Sequence, residues 1–399
     1  MEDFTFLLVG FLILIGFLGS ILFKKSKIPE ALFLIIAGIL IGPVFHIVDQ
    51  SAVIIYAPII MALMLILAML DNGLSFNIFK VAKALPLMII FGAGIVALTS
   101  IILTVILHYM LALPWIVSAI IALCMSGTTT DVITAIISKM HFSQKGKQLL
   151  VFDSVVNDIQ IIPFFILLGF SSSASLDPLE TALILFHIPL EIIMGAAAAI
   201  WWVYIIGKFL GKNPLNYIAT LGLLFIIYNM AKMMGGSGVI AVLTFSLILG
   251  NAMNLFKKFK IKDGLRKKFN IRIIRTLREI EVDVSFFVKT FFFVFLGIVF
   301  SLNMLQASIV ILSFILIVAI LICRYICVKL LSLKTKAYKS SIGPLVWICP
   351  RGYIAAILAF TAVNSGLFGQ EIFNIVLLNI FLTTFMAIIY SIYYEKRRS

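Results

Sequence analysis

Apolar runs separated by short polar stretches repeat along almost the whole chain. A run of ~20 mostly apolar residues, wound as a helix, matches the hydrocarbon thickness of a bilayer. Thirteen such spans are predicted: 5–23, 29–47, 52–71, 85–108, 114–138, 149–170, 181–207, 215–232, 236–255, 282–301, 304–328, 341–364 and 371–394. The longest polar stretch, 256–281, is too short for a soluble domain. The chain starts MEDF, which is acidic, whereas a signal peptide has a basic start and a small-residue cleavage site. The first span is therefore expected to be retained.

Two spans carry residues that interrupt a helix. Span 5 contains MSGTTTDV (125–132) and span 12 contains ICPRGYIA (348–355). Proline frees a carbonyl inside a helix, and glycine loosens the backbone further. Irregular backbone at membrane depth survives only where it is buried in protein or lines a wet cavity. Thirteen spans divide as six, one and six: a first repeat over 1–170, a linking span at 181–207, and a second repeat over 215–394. The two halves then have opposite topology and the interrupted spans fall at matching positions, the arrangement many secondary transporters place around their ion site. A weaker echo joins span 2, ALFLIIAGILIGP (31–43), to span 9, VIAVLTFSLILGN (239–251): both place a small residue, three aliphatics and then glycine. The expected fold is an all-α polytopic membrane protein of 13 transmembrane helices, two inverted six-helix repeats, and crossed broken helices at spans 5 and 12.

Charge orients the chain. With the N-terminus outside, the loops after spans 1, 3, 5, 7, 9 and 11 and the C-terminus are cytoplasmic. All but four of the 31 Lys and Arg residues then lie in the cytoplasm; the exceptions are Lys232, Lys289, Arg324 and Arg351, in or at the ends of spans. The positive-inside rule gives an outside N-terminus and a cytoplasmic C-terminus, and an even number of spans breaks the pattern. The cell membrane is the expected location.

Composition agrees. The chain is 63% hydrophobic and 12% charged, with a mean hydropathy of +1.19, against about 25% charged residues in a soluble domain. The net charge of +14 is the charge of cytoplasmic loops that face anionic lipid, so nucleic acid is not an expected partner. The second half of loop 256–281 alternates basic and apolar residues and is expected as an amphipathic helix on the inner leaflet. Cys124, Cys323, Cys327 and Cys349 all sit in apolar runs without zinc-like spacing and are read as buried apolar side chains. No cofactor is expected.

Charge at the bilayer centre costs at least ~3 kcal/mol on insertion scales, yet the spans hold Asp71, Asp131, Asp153, Asp158, Lys289, Arg324 and Arg351. Span 6, VFDSVVNDIQ, is the richest. Ser154 and Asp158 share one face at i,i+4, and Asp153 and Asn157 share another. The two carboxylates are about 140° apart around the helix, which implies separate tasks: one binds the transported ion and one holds a structural partner. A buried arginine keeps its charge and requires a carboxylate, so Arg324 and Arg351 are both candidates for that partner. Lys289 lies close enough to the cytoplasmic end to snorkel, and Asp71 is a carboxylate at the end of span 3. Hard monovalent cations take oxygen ligands. Asp158, Ser154 and the Thr128–Asp131 interruption supply carboxylate, hydroxyl and carbonyl oxygens. A desolvated carboxylate binds either a proton or a cation, and that competition suffices for exchange.

These residues resemble the monovalent cation/proton antiporters, in the sodium/proton exchanger branch, over essentially the whole chain. The matching segments are IPEALFLIIAGILIGP, MLDNGLSF, SGTTTDV, FDSVVNDI, GSGVIAVLTFSLILGN, FFFVFLGI, LICRYI and PRGYIAAILAF. The most specific element is the Asn157-Asp158 pair followed by an arginine in each of two late spans. The resemblance implies a transporter rather than an enzyme, exchanging Na+ or Li+ for H+ by alternating access. Asp158 is the implied carrier of cation and proton, with Ser154, Thr129 and Thr130 helping to coordinate Na+. Asn157 takes the place where electrogenic relatives carry a second aspartate, which implies electroneutral exchange. Asp131 and Arg351 are implied to compensate the helix-end charges where spans 5 and 12 cross, and Asp153 to pair with Arg324. A homodimer is implied, with a core transport domain from spans 4–6 and 11–13 and a dimerisation domain from the remainder.

The chain departs from the branch in three places. Asp153 and Asp71 each stand where the exchanger branch has Glu, one methylene longer, which puts the reach of the Asp153–Arg324 pair in question. Lys289 precedes FFFVFLG as in electrogenic or potassium-linked relatives. A K+/H+ antiporter, or an electrogenic antiporter of the same superfamily, is thus the alternative. An intramembrane aspartyl protease is disfavoured because the Gly-x-Gly-Asp context of the second aspartate is missing.

Overall fold

The computed structural model describes residues 30–81, 85–173, 178–210, 213, 215–258, 269, 271–300 and 306–397, with positions 10, 11, 13, 14, 16–18 and 21. The rest of span 1 and most of the first half of loop 256–281 lie outside the described residues. Within them every regular element is helical and there is no strand.

Nine helices among the described residues are long and apolar enough to cross a membrane, and shorter apolar helices occur at Ala31–Val44 and Tyr353–Asn364. Of the thirteen expected spans, span 1 is mostly outside the described residues and spans 2, 8 and 12 are not among the nine, whereas span 5 is counted as one despite its break. Span 2 is a short helix, Glu30–Ile39, that ends in a π-turn, Leu40–Val44, around Pro43. Span 12 is divided into Ile342–Trp347 and Tyr353–Asn364, and span 5 into Trp115–Ser126 and Thr130–Ser138. Span 8 forms Asn216–Met233. The second half of the basic loop is not a separate interfacial helix: it is continuous with span 10 in the helix Ile271–Val299. The face carrying Arg278, Glu281, Ser285 and Lys289 at i,i+3 and i,i+4 spacing explains this. Arg278 donates to the Leu74 carbonyl, Ser285 donates to the Glu281 carboxylate, and Lys289 reaches Asp71. Glu281 is buried.

The chain divides into two compact units: Met1–Ala57, Pro86–Ser175 and Thr290–Ser399 form one, and Pro58–Leu85 and Leu176–Lys289 the other. The first unit holds spans 4–6 and 11–13 together with span 2 and the end of span 10. Each unit draws on both halves of the sequence, so the units do not coincide with the expected repeats.

In lipid, helices gain little from burying apolar surface against each other, so close packing through small residues carries the association. In the first unit a Cβ on Gly38 would overlap Val294 and Gly297, one on Gly297 would overlap Ile35, and one on Gly42 would crowd Ile298. Spans 2 and 10 therefore cross backbone on backbone. Spans 3 and 9 cross in the same way in the second unit, through Gly73 against Ser246 and Gly250 against Leu74.

Also in the second unit, Glu191 of span 7 is buried and accepts from the Ser237 backbone N–H at 2.6 Å and from its hydroxyl at 3.1 Å. The carboxylate thus fixes Ser237, whose hydroxyl accepts the Val239 N–H at 3.3 Å at the start of the helix Val239–Lys258, the end where negative charge is favoured by the helix dipole.

Candidate functional site

The site lies entirely in the first unit, where the two divided spans meet. Span 5 loses its helix at Gly127, whose backbone is extended at φ −80°, ψ 158°, and regains it at Thr130. Span 12 is non-helical from Ile348 through Gly352, where the backbone is extended. The interrupted stretches bond to each other: Thr129 N–H donates to the Pro350 carbonyl at 3.0 Å. Gly352 is what lets them touch, because a Cβ there would overlap the Thr129 side chain. A backbone group released from a helix and kept from water needs another partner, and the crossing provides one.

Arg351 lies in this crossing, 1% exposed. Its Nη1 donates to the Ser126 carbonyl at 2.9 Å and the Gly127 carbonyl at 2.6 Å. These are the last carbonyls of the half-helix Trp115–Ser126, where partial negative charge collects. Asp131 sits in the first turn of the half-helix Thr130–Ser138, where partial positive charge collects. Each charge faces the helix end of opposite polarity.

Span 6 is the helix Gln144–Ser173, with Pro163 inside it. Asp153, Ser154 and Asn157 are fully buried and Asp158 is 3% exposed. Asp153 Oδ2 accepts from Arg324 Nη2 at 2.8 Å, and Arg324 Nε donates to the Leu345 carbonyl at 2.6 Å. The shorter aspartate therefore reaches Arg324, while the Arg351 guanidinium is turned to carbonyls. Gly92 leaves space beside the pair: a Cβ there would lie 3.6 Å from Asp153 Oδ1 and 3.1 Å from Val156.

The other face of span 6 meets the interruption of span 5. Thr130 Oγ1 donates to Ser154 Oγ at 3.0 Å, and Ser154 donates to the Val151 carbonyl at 2.8 Å. Asn157 Nδ2 donates to Thr128 Oγ1 at 3.1 Å. Asn157 Oδ1, Thr129 Oγ1 and Asp153 Oδ1 are buried and have no hydrogen-bond partner among the described residues. Asp158 is next to Asn157 in sequence and one turn beyond Ser154. Hydroxyl and amide oxygens of Thr128, Thr130, Ser154 and Asn157 thus meet where span 5 gives up helix geometry, on the helix that carries Asp158. No cluster of three or more His, Cys, Asp or Glu suited to holding a metal occurs among the described residues. The oxygen set suits a weakly held hard cation rather than a tightly bound transition metal.

Asp71 and Lys289 are not part of this constellation. Both belong to the second unit, where Lys289 Nζ lies 4.0 Å from Asp71 Oδ2 and Ser75 Oγ donates to Asp71 Oδ1 at 3.1 Å. The sequence alone suggests a snorkelling lysine and a helix-end carboxylate; the structure pairs them. The sequence alone also leaves out three polar residues. Glu281 fell one residue outside the boundary drawn for span 10, and Glu191 stood openly in the apolar run IPLEIIM. Thr383, in LLNIFLTTF of span 13, accepts the Arg351 backbone N–H at 3.1 Å.

The family described as "Sodium/hydrogen exchanger, transmembrane" matches residues 11–392. No curated protein matches by sequence. Among solved structures the chain is similar to the sodium proton antiporter MjNhaP1 from Methanocaldococcus jannaschii at pH 8. The identity is 20%, the alignment covers 98% of this chain and 96% of that one, and the TM-score is 0.77. An electron-microscopy map of the same antiporter gives 19% identity, coverage of 98% and 95%, and a TM-score of 0.75. Those identities speak to a shared helical membrane fold. The match to the family across nearly the whole chain speaks to more: the chain belongs to the sodium/hydrogen exchanger family, and is a multi-pass membrane cation/proton antiporter rather than an enzyme.

Proposed function

We propose that the protein exchanges Na+ or Li+ for H+ by alternating access, with Asp158 carrying either the cation or the proton. One observation carries this reading. The two buried carboxylates of span 6 lie on different faces: Asp153 pairs with Arg324 through Oδ2, while Asp158 follows Asn157, whose Oδ1, like Thr129 Oγ1 in the interruption of span 5, is buried without a hydrogen-bond partner among the described residues. Buried polar oxygens are costly unless something satisfies them, and a transported cation does so. Ser154 and Thr130 complete the set. Asp131 and Arg351 hold the crossing in charge balance, and Asp153–Arg324 is a fixed ion pair.

Exchange is electroneutral on this reading. The site offers one carboxylate, because Asn157 is neutral, and one charge in each direction leaves no net current. Lys289 is paired with Asp71 and adds no second proton to the cycle.

The architecture is thirteen spans in two inverted repeats joined by span 7. The helix crossings support it. Aligning span 2 with span 9 places Gly38 on Ser246 and Gly42 on Gly250; aligning span 3 with span 10 places Gly73 on Gly297 and Leu74 on Ile298. The close contacts pair these equivalent positions, span 2 with span 10 and span 9 with span 3. The core transport domain comprises spans 4–6 and 11–13, and the remainder forms the dimerisation domain of a homodimer. The protein resides in the cell membrane with its N-terminus outside and its C-terminus in the cytoplasm.

Lys289 motivates the second reading, a K+/H+ or electrogenic antiporter. Proteoliposomes loaded with a pH gradient and challenged with Li+, Na+, K+ and Rb+, with and without a clamped membrane potential, distinguish the two. Na+ and Li+ are expected to dissipate the gradient with a rate and end-point independent of potential. Preference for K+ overturns the cargo, and an end-point that moves with potential overturns electroneutrality.

A further inference from the structure

The geometry points to Thr383 as a positioning residue for cation binding, an inference that rests on the Asp158 site proposed above. Two long helices each pack against all four half-helices of the crossing: span 6, Gln144–Ser173, and span 13, Gln370–Lys396. Span 6 ties to the interruption of span 5 through Asn157 and Ser154. Span 13 ties to the interruption of span 12 through Thr383, whose Oγ1 accepts the Arg351 N–H at 3.1 Å.

A threonine in a helix commonly donates its hydroxyl proton back to the carbonyl four residues earlier. Thr383 does this, donating to Asn379 O at 2.7 Å. That bond alone is unremarked helix behaviour. The second bond is different. In an unbroken span 12 the Arg351 N–H would bond to the Trp347 carbonyl; the interruption removes that partner, and Thr383, fully buried, replaces it. One oxygen thus fixes the backbone of Arg351. The Arg351 side chain in turn fixes the Ser126 and Gly127 carbonyls, immediately before Thr128–Thr130. The chain of contacts runs from Thr383 to the oxygens beside Asp158 without Thr383 touching the ion.

The test uses the full-length protein in proteoliposomes, with whichever alkali cation the wild type moves fastest. Thr383→Val keeps the shape and removes the acceptor; Thr383→Ser keeps the acceptor. Loss of one buried hydrogen bond predicts that Thr383→Val raises the apparent KM for the cation about fivefold, while Thr383→Ser stays within about twofold of wild type. An unchanged KM in Thr383→Val overturns the inference. So does a loss of maximal rate and thermal stability with KM unmoved, which marks a merely structural residue. If Thr383→Val does not insert, Thr383→Ala is compared with Thr383→Ser, and the same ordering of KM is required. Asp158→Asn is run alongside. Retained exchange there removes the Asp158 reading, while the Thr383 comparison still reports on the crossing itself.

Discussion

At the residue scale, the two aspartates of span 6 separate by what surrounds them. Helical spacing alone placed Asp153 and Asp158 on different faces, so the division of labour was legible in the sequence. The partner of Asp153 was not, because two buried arginines were available and spacing cannot choose between them. The choice is made by the interruptions: Arg351 sits beside carbonyls that have lost their helical partners and turns to them, leaving Arg324 for Asp153. Breaking a buried ion pair by removing one partner leaves an unpaired charge, at a cost of about 3–5 kcal/mol. Asp153→Asn is therefore expected to lower the melting temperature of the purified protein markedly, and Asp153→Asn combined with Arg324→Met to recover much of the loss. Equal melting of the single variant and wild type contradicts a fixed pair. Gly352 makes a sharper local prediction. Its Cβ would overlap Thr129, so Gly352→Ala should reduce exchange to background. Gly94→Ala, where a Cβ meets nothing within 4 Å among the described residues, should leave exchange near wild type.

At the scale of elements, the interruptions were legible because proline, glycine and a run of threonines are poor residues for the middle of a membrane helix. What those residues bond to instead was not legible, because Thr129 and Pro350 are far apart in sequence and meet only in the fold. The extent of span 10 was misread for a related reason. Arg278, Glu281 and Lys289 look like loop and interface charges until helix Ala57–Ser75 supplies Leu74 and Asp71 as partners. Tertiary contacts thus extended a helix that composition alone would have stopped. The glycine crossings predict that Gly38→Leu and Gly73→Leu each destabilise by about 1–3 kcal/mol, the usual cost of overpacking. Gly222→Leu, where a Cβ meets nothing within 4 Å among the described residues, serves as control. Thermal melts followed by size-exclusion chromatography read the difference, and equal melting of all three contradicts close helix packing at those positions.

At the scale of the whole molecule, antiport requires that cation and proton exclude each other from one site. Competition predicts a sign. As pH falls the carboxylate is increasingly protonated, so Na+ must displace a proton and its apparent KM rises; at alkaline pH the KM levels off. An apparent KM that is flat across the acid range contradicts a shared site. The sequence showed the membrane class and the charge asymmetry because both are written in single residues. The two compact units each gather segments from both halves of the chain, a division that no single residue encodes. The most direct test of the carrier assignment is Na+-dependent proton movement in everted vesicles from cells producing Asp158→Asn, with membrane insertion verified. Loss of exchange with normal insertion is the expected result, and Na+-dependent proton movement that persists in Asp158→Asn contradicts it.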